Sequence, residues 1–506
     1  MKKIDFRGGV VKLLLGIEVI TLFLGIKSFG NKNNTLDDIK LLDSKSDNLF
    51  AIMVKDASGN YNESSTFPTG AYILNETMSS CVDNNGNKIG NVLSYESGHV
   101  YTKTNKTVYC YLYFDKDNSV YAKVLDDFSN NNGVQKTTDE NGKDVYYYTG
   151  NVTNNNLVFN NYCWKMVRTT ETDGVKLLYN GLYSEDTKCN NIGTDVYIDS
   201  SGTKYNTNYN SPAYVGYMYG TVYTYSAKFA SDFGTYYYGS DVTWNGTTYT
   251  LSNAESGAIA NMYSKLSSKH YTCLSTSSSC STVYYIYYMT GTGRGESAFY
   301  MTLTNGKKIE DVLDEMLNYN TTNSNIKTVI DNWYSTNMTN VTDYLENAIY
   351  CNNRYIANLS ASGWNPSGGS ISAGTLLFND YSISNERLTC QDKEDQFTLK
   401  VDSGGTLGYG NNALDYPVGL LTYKEANLAY GDSDTNYLNN GDSYWLLSPN
   451  YFYGINAFVR LVYYGSLFYY YVFFASGARP AVSLLTKVKL SGEGNGTVES
   501  PYVVSM

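Results

Sequence analysis

Eight cysteines constrain this chain more than any other feature: Cys81, Cys110, Cys163, Cys189, Cys273, Cys280, Cys351 and Cys390. Their number is even and no two form a C-x-x-C pair, which suits disulfides in an oxidising compartment rather than zinc. Eight thiols allow roughly a hundred pairings, and sequence does not choose among them. Each sequential pair falls inside one apparent structural unit, so neighbour pairing is the expectation. Eight reduced, buried thiols are the alternative.

The N-terminus agrees with export. Lys2, Lys3 and Arg7 precede "VVKLLLGIEVITLFLGI", Val10 to Ile26. At 1.5 Å per residue this run spans about 26 Å as a helix, short for a bilayer crossing, and Lys12 and Glu18 interrupt it. Ser28 and Gly30 stand where a cleavage site would need small residues. Residues 1–30 are read as a signal peptide or membrane anchor, with a buried helix as the alternative. The expected location is extracellular, secreted or held at the cell surface.

Lys plus Arg number 37 against 48 Asp plus Glu, a net charge of -11. That balance repels nucleic acid and anionic lipid headgroups, so no nucleic-acid partner is expected. At 506 residues the chain has room for about three domains with real cores.

Residues 48–115 carry strand-like runs, "LFAIMV", "AYILN", "NVLSY" and "TVYCYLYFD", broken by Asn-Gly and Gly-Asn turns. They predict a small all-β domain closed by Cys81 and Cys110. Residues 116–156 include the polar "DDFSNNNGVQKTTDENGKD" and read as a linker. From residue 157 to 506 the pattern is mixed, an α+β domain. "NYCWKMVRTTETDGVKLLYNG" predicts two strands around an Asp-Gly turn. "SNAE" (Ser252 to Glu255) and "TYKE" (Thr422 to Glu425) fit the capping box of a helix start. Ile326, Val329, Ile330 and Trp333 predict one amphipathic helix, and Val341, Tyr344, Leu345, Ala348 and Ile349 a second.

"YCWKMVRTTETDGVKLLYNG", "IKTVIDNWYSTNM", "YCNNRYI", "YPVGLLTYKEANLAYG", "YWLLSPNYF", "GARPAVSL" and "GNGTVESPYVV" follow in this order. Together they resemble a family of exported proteins of unknown function from gut Firmicutes and relatives. The C-terminal domain of that family is similar to the C-type-lectin-like fold. Formylglycine-generating enzymes and the variable proteins of diversity-generating retroelements use the same fold. In retroelement proteins, variable residues project from a rigid ligand-facing surface between constant words. "YWLLSPN" and "GARPAVSL" would be those words. The resemblance then implies ligand-binding roles for Tyr451, Phe452, Tyr453, Tyr463, Tyr464, Phe468, Tyr469, Tyr470, Tyr471, Phe473 and Phe474. Ordinary drift within a paralogous family is the alternative origin of so many rings.

Strand alternation gives an independent reason to look here. Neighbouring side chains point to opposite faces, so Phe468 to Phe474 cannot all be core. Half the rings face outward unless a loop such as Trp364 to Leu377 covers them.

Catalytic patterns are sparse. No phosphate-binding loop and no G-x-S-x-G elbow occur. The only histidines are His99 and His270, far apart in sequence. Asp311, Asp314 and Glu315 lie on a predicted helix as exposed charge. Asp432, Asp434, Asn436 and Asp442 begin a calcium-loop spacing, but Tyr437 and Ser443 occupy the glycine and bidentate-glutamate positions. No metal, cofactor or catalytic residue is assigned. The expected function is recognition of an extracellular protein or glycan through the aromatic stretch, with the N-terminal segment meeting the membrane. A secreted hydrolase working with carboxylates alone, or a structural surface protein without a specific ligand, are the alternatives.

Overall fold

The structure is a computed structural model. It describes residues 2–3, 50–56, 58–68, 72–89, 93–96, 99–102, 108–229, 235–258, 270–290, 297–356, 376–377, 387–400, 409–431 and 435–506. The segment read as a signal peptide or membrane anchor, residues 1–30, lies outside these residues, Lys2 and Lys3 apart. The described chain is mixed α+β, mostly strands with few helices. Among the described residues no helix is long and apolar enough to cross a membrane. Two compact units form: residues 1–134 with 486–492 and 505, and residues 135–485 with 493–504 and 506.

The first unit is built on β1 (Phe50–Lys55), β2 (Tyr61–Ser64), β3 (Tyr72–Leu74), β4 (Ser80–Val82), β5 (Lys88–Ile89) and β6 (Tyr109–Lys116). β1 lies parallel to β6 at the centre, and both are apolar on both faces. Phe50, Ile52, Leu112 and Phe114 pack on one side and Ala51, Met53, Tyr111 and Tyr113 on the other. Phe50, Ile52, Met53, Leu112 and Phe114 each contribute about 1.5–3 kcal/mol on burial. Cys81 and Cys110 stand opposite each other across β4 and β6 and are disulfide-bonded.

The stretch read as a linker is folded. Helix α1 (Val120–Ser129) begins where the Ser119 hydroxyl accepts a hydrogen bond from the Ala122 amide at 3.1 Å. It buries Val120, Ala122 and Val124, and Asp127 inside it is paired with Lys123 at 2.6 Å. The helix hides in "SVYAKVL", just ahead of the polar run that suggested a linker. β7 (Val134–Thr138) and β8 (Asp144–Tyr148) then make strands of that polar run.

In the second unit β9 (Asn156–Phe159), β10 (Tyr162–Thr169) and β11 (Val175–Leu182) form a meander. Helices α2 (Ile309–Leu317), α3 (Asn325–Asn337) and α4 (Tyr423–Tyr430) follow. A second meander comprises β12 (Ser443–Tyr453), β13 (Asn456–Tyr463) and β14 (Ser466–Tyr471). β15 (Ala481–Leu484) returns to pair with β11, and β16 (Tyr502–Val503) runs parallel to β9, completing a seven-stranded sheet with β7 and β8. Strands between Ser226 and Leu303 form a separate six-stranded sheet. Trp333 of α3 lies 5.3 Å from Tyr179 and 6.4 Å from Trp164, docking the helix on the first meander.

The core of the first meander is charged. Glu425 accepts from Arg168 Nε and Lys176 Nζ, both at 2.7 Å, and all three are buried. Burial works to raise the Glu425 pKa, but the charges of Lys176 and Arg168 overcome it and hold the pKa at about 2. Its other oxygen accepts from the Thr422 amide at 2.9 Å, while the Thr422 hydroxyl accepts from the Glu425 amide. The capping-box glutamate is thus also the counter-ion of two buried cations.

Two expected helices are absent. Ser252 and Glu255 belong to two strands, with Asn253 at a φ of 51° in the turn between them. The stripe from Val341 to Ile349 is a short 3₁₀ helix, Thr339–Tyr344, after which Leu345 turns extended and bridges Leu484. The remaining disulfides join Cys163 to Cys189, Cys273 to Cys280 and Cys351 to Cys390, all neighbours in sequence.

Candidate functional site, an aromatic face

The site stands on the second meander. In antiparallel register Tyr451 faces Phe458, Phe458 faces Tyr471, Arg460 faces Tyr469 and Leu461 faces Phe468. Paired residues share a face, so Tyr451, Phe458, Tyr469 and Tyr471 come together on one face and Tyr463, Phe468 and Tyr470 on the other, the two groups touching along β14. Tyr451 and Phe458 are 4.4 Å apart, Phe458 and Tyr471 4.3 Å, and Tyr451 and Tyr469 5.1 Å between centroids. The contacts continue through Phe468, Tyr463 and Tyr464 to one end, and through Phe473, Phe474 and Tyr470 to the other. The result is one unbroken network of rings.

Exposure sorts them. Tyr463 (52%), Tyr464 (54%), Phe468 (46%), Tyr470 (40%) and Phe474 (43%) reach solvent. Tyr451, Tyr453, Tyr469, Tyr471 and Phe473 are half-buried. Phe452 is a correction: it is fully buried, 5.1 Å from Tyr225 and 5.9 Å from Tyr287. Alternation puts it opposite Tyr451, on the side that pairs with Ala457 and faces the core. The words on either side, "YWLLSPN" and "GARPAVSL", are buried at every residue.

Two members of the network were missed. Phe458 is 5% exposed and links Tyr451 to Tyr471; its place in "NAFVRLVY" marks it as core and nothing more. Tyr209 sits 4.6 Å from Phe473, a long-range contact with no local signal. Of the covering loop, only Leu376 and Leu377 are described, paired with Phe452 and Tyr451 at the far edge of the sheet.

The tip of the face is held firmly. β13 and β14 join through Tyr464 and Gly465 at φ values of 47° and 82°, the two positive angles that a type I′ turn requires. Asn and Gly take such angles readily, whereas a bulky side chain there is an outlier. The Tyr464 amide donates to Asp442 O at 3.1 Å and the Asn436 amide group to Gly465 O at 3.0 Å. A Cβ at Gly465 would come within 2.7 Å of Asn439 Cβ, so the loop 436–442 grips the turn. On one face of the sheet Trp445 Nε1 donates to Thr203 O at 2.7 Å. On the other, the guanidinium of Arg479 lies 4.6 Å from the Tyr444 ring, and Arg460, which shares that face by register, stands 4.3 Å over Tyr423.

The other candidates serve structure. Asn436 spends both ends of its amide on backbone, on Gly465 O and the Leu438 amide, and Asp442 accepts from the Ser443 amide. Asp432 and Asp434 lie outside the described residues. Asp311 accepts from the Lys308 amide at the start of α2, and Glu315 is engaged by Lys307 and Tyr223. His270 is part-buried with Nδ1 3.2 Å from Ile286 O, and burial lowers its pKa. The His99 side chain lies outside what is described. Among the described residues no group of three or more His, Cys, Asp or Glu is placed to hold a metal ion. No protein-family model, curated protein or solved structure matches this chain.

Proposed function

We propose that the chain is a recognition protein of the cell exterior, secreted or held at the surface by its N-terminal segment. It binds an extracellular protein or glycan through the aromatic face. The observation that carries this reading is five exposed rings on one connected network, displayed from a clamped turn at a strained backbone angle. Contiguous apolar surface of this kind marks interaction sites, and Tyr gives rigid contact area with a polar handle. A bulky residue held at positive φ is kept for something other than the turn. The four disulfides support an oxidising, extracellular setting.

The second unit is read as a C-type-lectin-like domain and the chain as a relative of the exported Firmicutes family. Burial supports the further reading that the exposed positions between "YWLLSPN" and "GARPAVSL", Tyr463, Tyr464, Phe468, Tyr470 and Phe474, are free to vary. The flanking words are wholly core, while the stretch between them supplies the exposed rings. A near-copy of codons 445 to 484 beside a reverse-transcriptase gene would establish retroelement diversification, and its absence would leave ordinary drift.

The binding test uses printed glycans and a phage-displayed random-peptide library against the full chain and its Tyr463→Ser/Tyr464→Ser/Phe468→Ser variant. Binding by the native chain that the variant loses, with the melting temperature held within a few degrees, is the expected outcome. Binding that survives the variant would move the site elsewhere.

A further inference from the structure

Resting on that reading, we infer that the ligand is an extended polypeptide segment, which adds as a further strand along the outer edge of β14. The phase of the ladder carries the argument. Val472 N donates to Ala457 O at 3.1 Å, which makes those two a hydrogen-bonded pair. Such pairs alternate along an antiparallel ladder. Val459 with Tyr470, Leu461 with Phe468 and Tyr463 with Ser466 are therefore the others, as the two-residue turn also requires. The N–H and C=O groups of Leu467, Tyr469 and Tyr471 then point away from β13. Tyr471 O accepts from the Phe474 amide at 3.1 Å. The outward groups of Leu467 and Tyr469 have no partner among the described residues, and no described strand lies beyond β14.

This edge also carries none of the usual guards among the described residues. Proteins blunt their sheet edges with charges, prolines, bulges or very short strands. In the same unit the seven-stranded sheet shields one edge with Lys136 of β7, salt-bridged to Asp144, and ends another on the two residues of β16. The six-stranded sheet ends on strands bearing Lys228 and Glu255. β14 reads Ser-Leu-Phe-Tyr-Tyr-Tyr, six residues without charge or proline, and its register with β13 is unbroken.

The chemistry separates polypeptide from glycan. Phe468 and Tyr470 project on one side of β14 and Tyr469 and Tyr471 on the other, at the two-residue period of an incoming strand's own side chains. Backbone groups facing outward in strand register are complementary to another backbone. A sugar's hydroxyls need forks of carboxylate or amide side chains, and β14 carries neither.

The test pans the random-peptide library on the full chain, then scans the enriched peptides by N-methylating one backbone amide at a time. Strand addition predicts losses at every second residue, about tenfold for each blocked hydrogen bond, and tolerance between them. The variant Tyr469→Pro removes an outward donor that the internal ladder does not use, so binding should fall while the fold holds. Were that variant to unfold, the methylation scan on the native chain would still decide. Peptides that tolerate methylation throughout but need Tyr463, Tyr464 and Phe468 would overturn strand addition and leave the recognition face standing. Ring-dependent binding of glycans alone would do the same. A dimer dissolved by Tyr469→Pro would seat a second copy there and overturn a foreign partner. If neither library nor glycans bind in a ring-dependent way, both readings fall.

Discussion

The two meanders of the second unit use the same turn and put it to opposite ends. β9 joins β10 through Asn160 and Asn161, at φ values of 52° and 62°, and β13 joins β14 through Tyr464 and Gly465. Asn suits such angles because its short amide can bond locally. Asn160 is 7% exposed and donates to Asn337 O at 2.8 Å. Tyr464 has no such compensation, and its ring stands in solvent. At the far end of β10 from the first turn lie the charges of Arg168, Lys176 and Glu425; around the second turn lie rings. One meander is arranged for the backbone and the core, the other for what it displays.

The largest effect that would break this contrast comes from the buried charges. Replacing Glu425 with Ala takes away the carboxylate 2.7 Å from both buried cations and leaves Arg168 with Glu171 at 3.5 Å, which costs about 3–5 kcal/mol. Chemical denaturation should show a midpoint far below that of the native chain, if the variant accumulates at all. An unchanged midpoint would mean that the trio does not hold the first meander together.

Next comes acidity. Glu346 is 5% exposed, its carboxylate accepts from the Thr172 hydroxyl at 2.7 Å, and Glu171 and Arg168 lie close by. Burial, with the Glu171 charge, raises its pKa from 4.5 to about 7. A carboxyl that holds its proton more tightly when folded carries no penalty below about pH 4.5. The penalty grows as pH rises to 7 and is constant above, at up to about 3 kcal/mol. Glu425 runs the other way: its contribution is present above pH 4.5 and is lost as pH falls towards 2. Stability measured from pH 4.5 to 8 should therefore decline less steeply in Glu346→Gln. Parallel curves would remove Glu346 from the account.

The turns themselves can be exchanged. Tyr464→Asn should raise stability by about 0.5–1 kcal/mol, since Asn accepts the left-handed angle at less cost. The same variant should weaken peptide binding. A loss of stability would show that the ring contributes more by packing against Tyr463 than the angle costs. Smallest of all is the effect of Phe468→Ser or Tyr470→Ser, within about 0.5 kcal/mol each, as for exposed positions generally. Phe452→Ala, by contrast, should cost about 3–5 kcal/mol. Thermal melts of the three variants place each ring inside or outside the core.

What could be read from the letters was what depends on near neighbours. "TYKE" marks α4 because the cap is made within four residues, and the strands about Asp173 follow from the polar Asp-Gly turn between them. Glu425 could not be seen as a counter-ion, because Arg168 and Lys176 lie far along the chain. "SNAE" has the same letters as a cap but sits between strands, so the motif alone does not distinguish the two. The apolar stripe through Ile349 keeps helical spacing, yet Leu345 is drawn off it by Leu484. Within β14, alternation separates the exposed Phe468 and Tyr470 from the half-buried Tyr469 and Tyr471. It assigns neither Phe452 nor Tyr464, since both depend on which face meets the core and on the turn. Tyr209 enters from a loop whose sequence says nothing of Phe473.

The disulfides close loops between cysteines 29, 26, 7 and 39 residues apart, and no loop encloses another. A chain threaded outward from its N-terminus therefore presents each thiol with its proper mate before the following pair emerges. Oxidation can keep pace with the emerging chain, each bond sealed in turn, without later shuffling to undo mismatches.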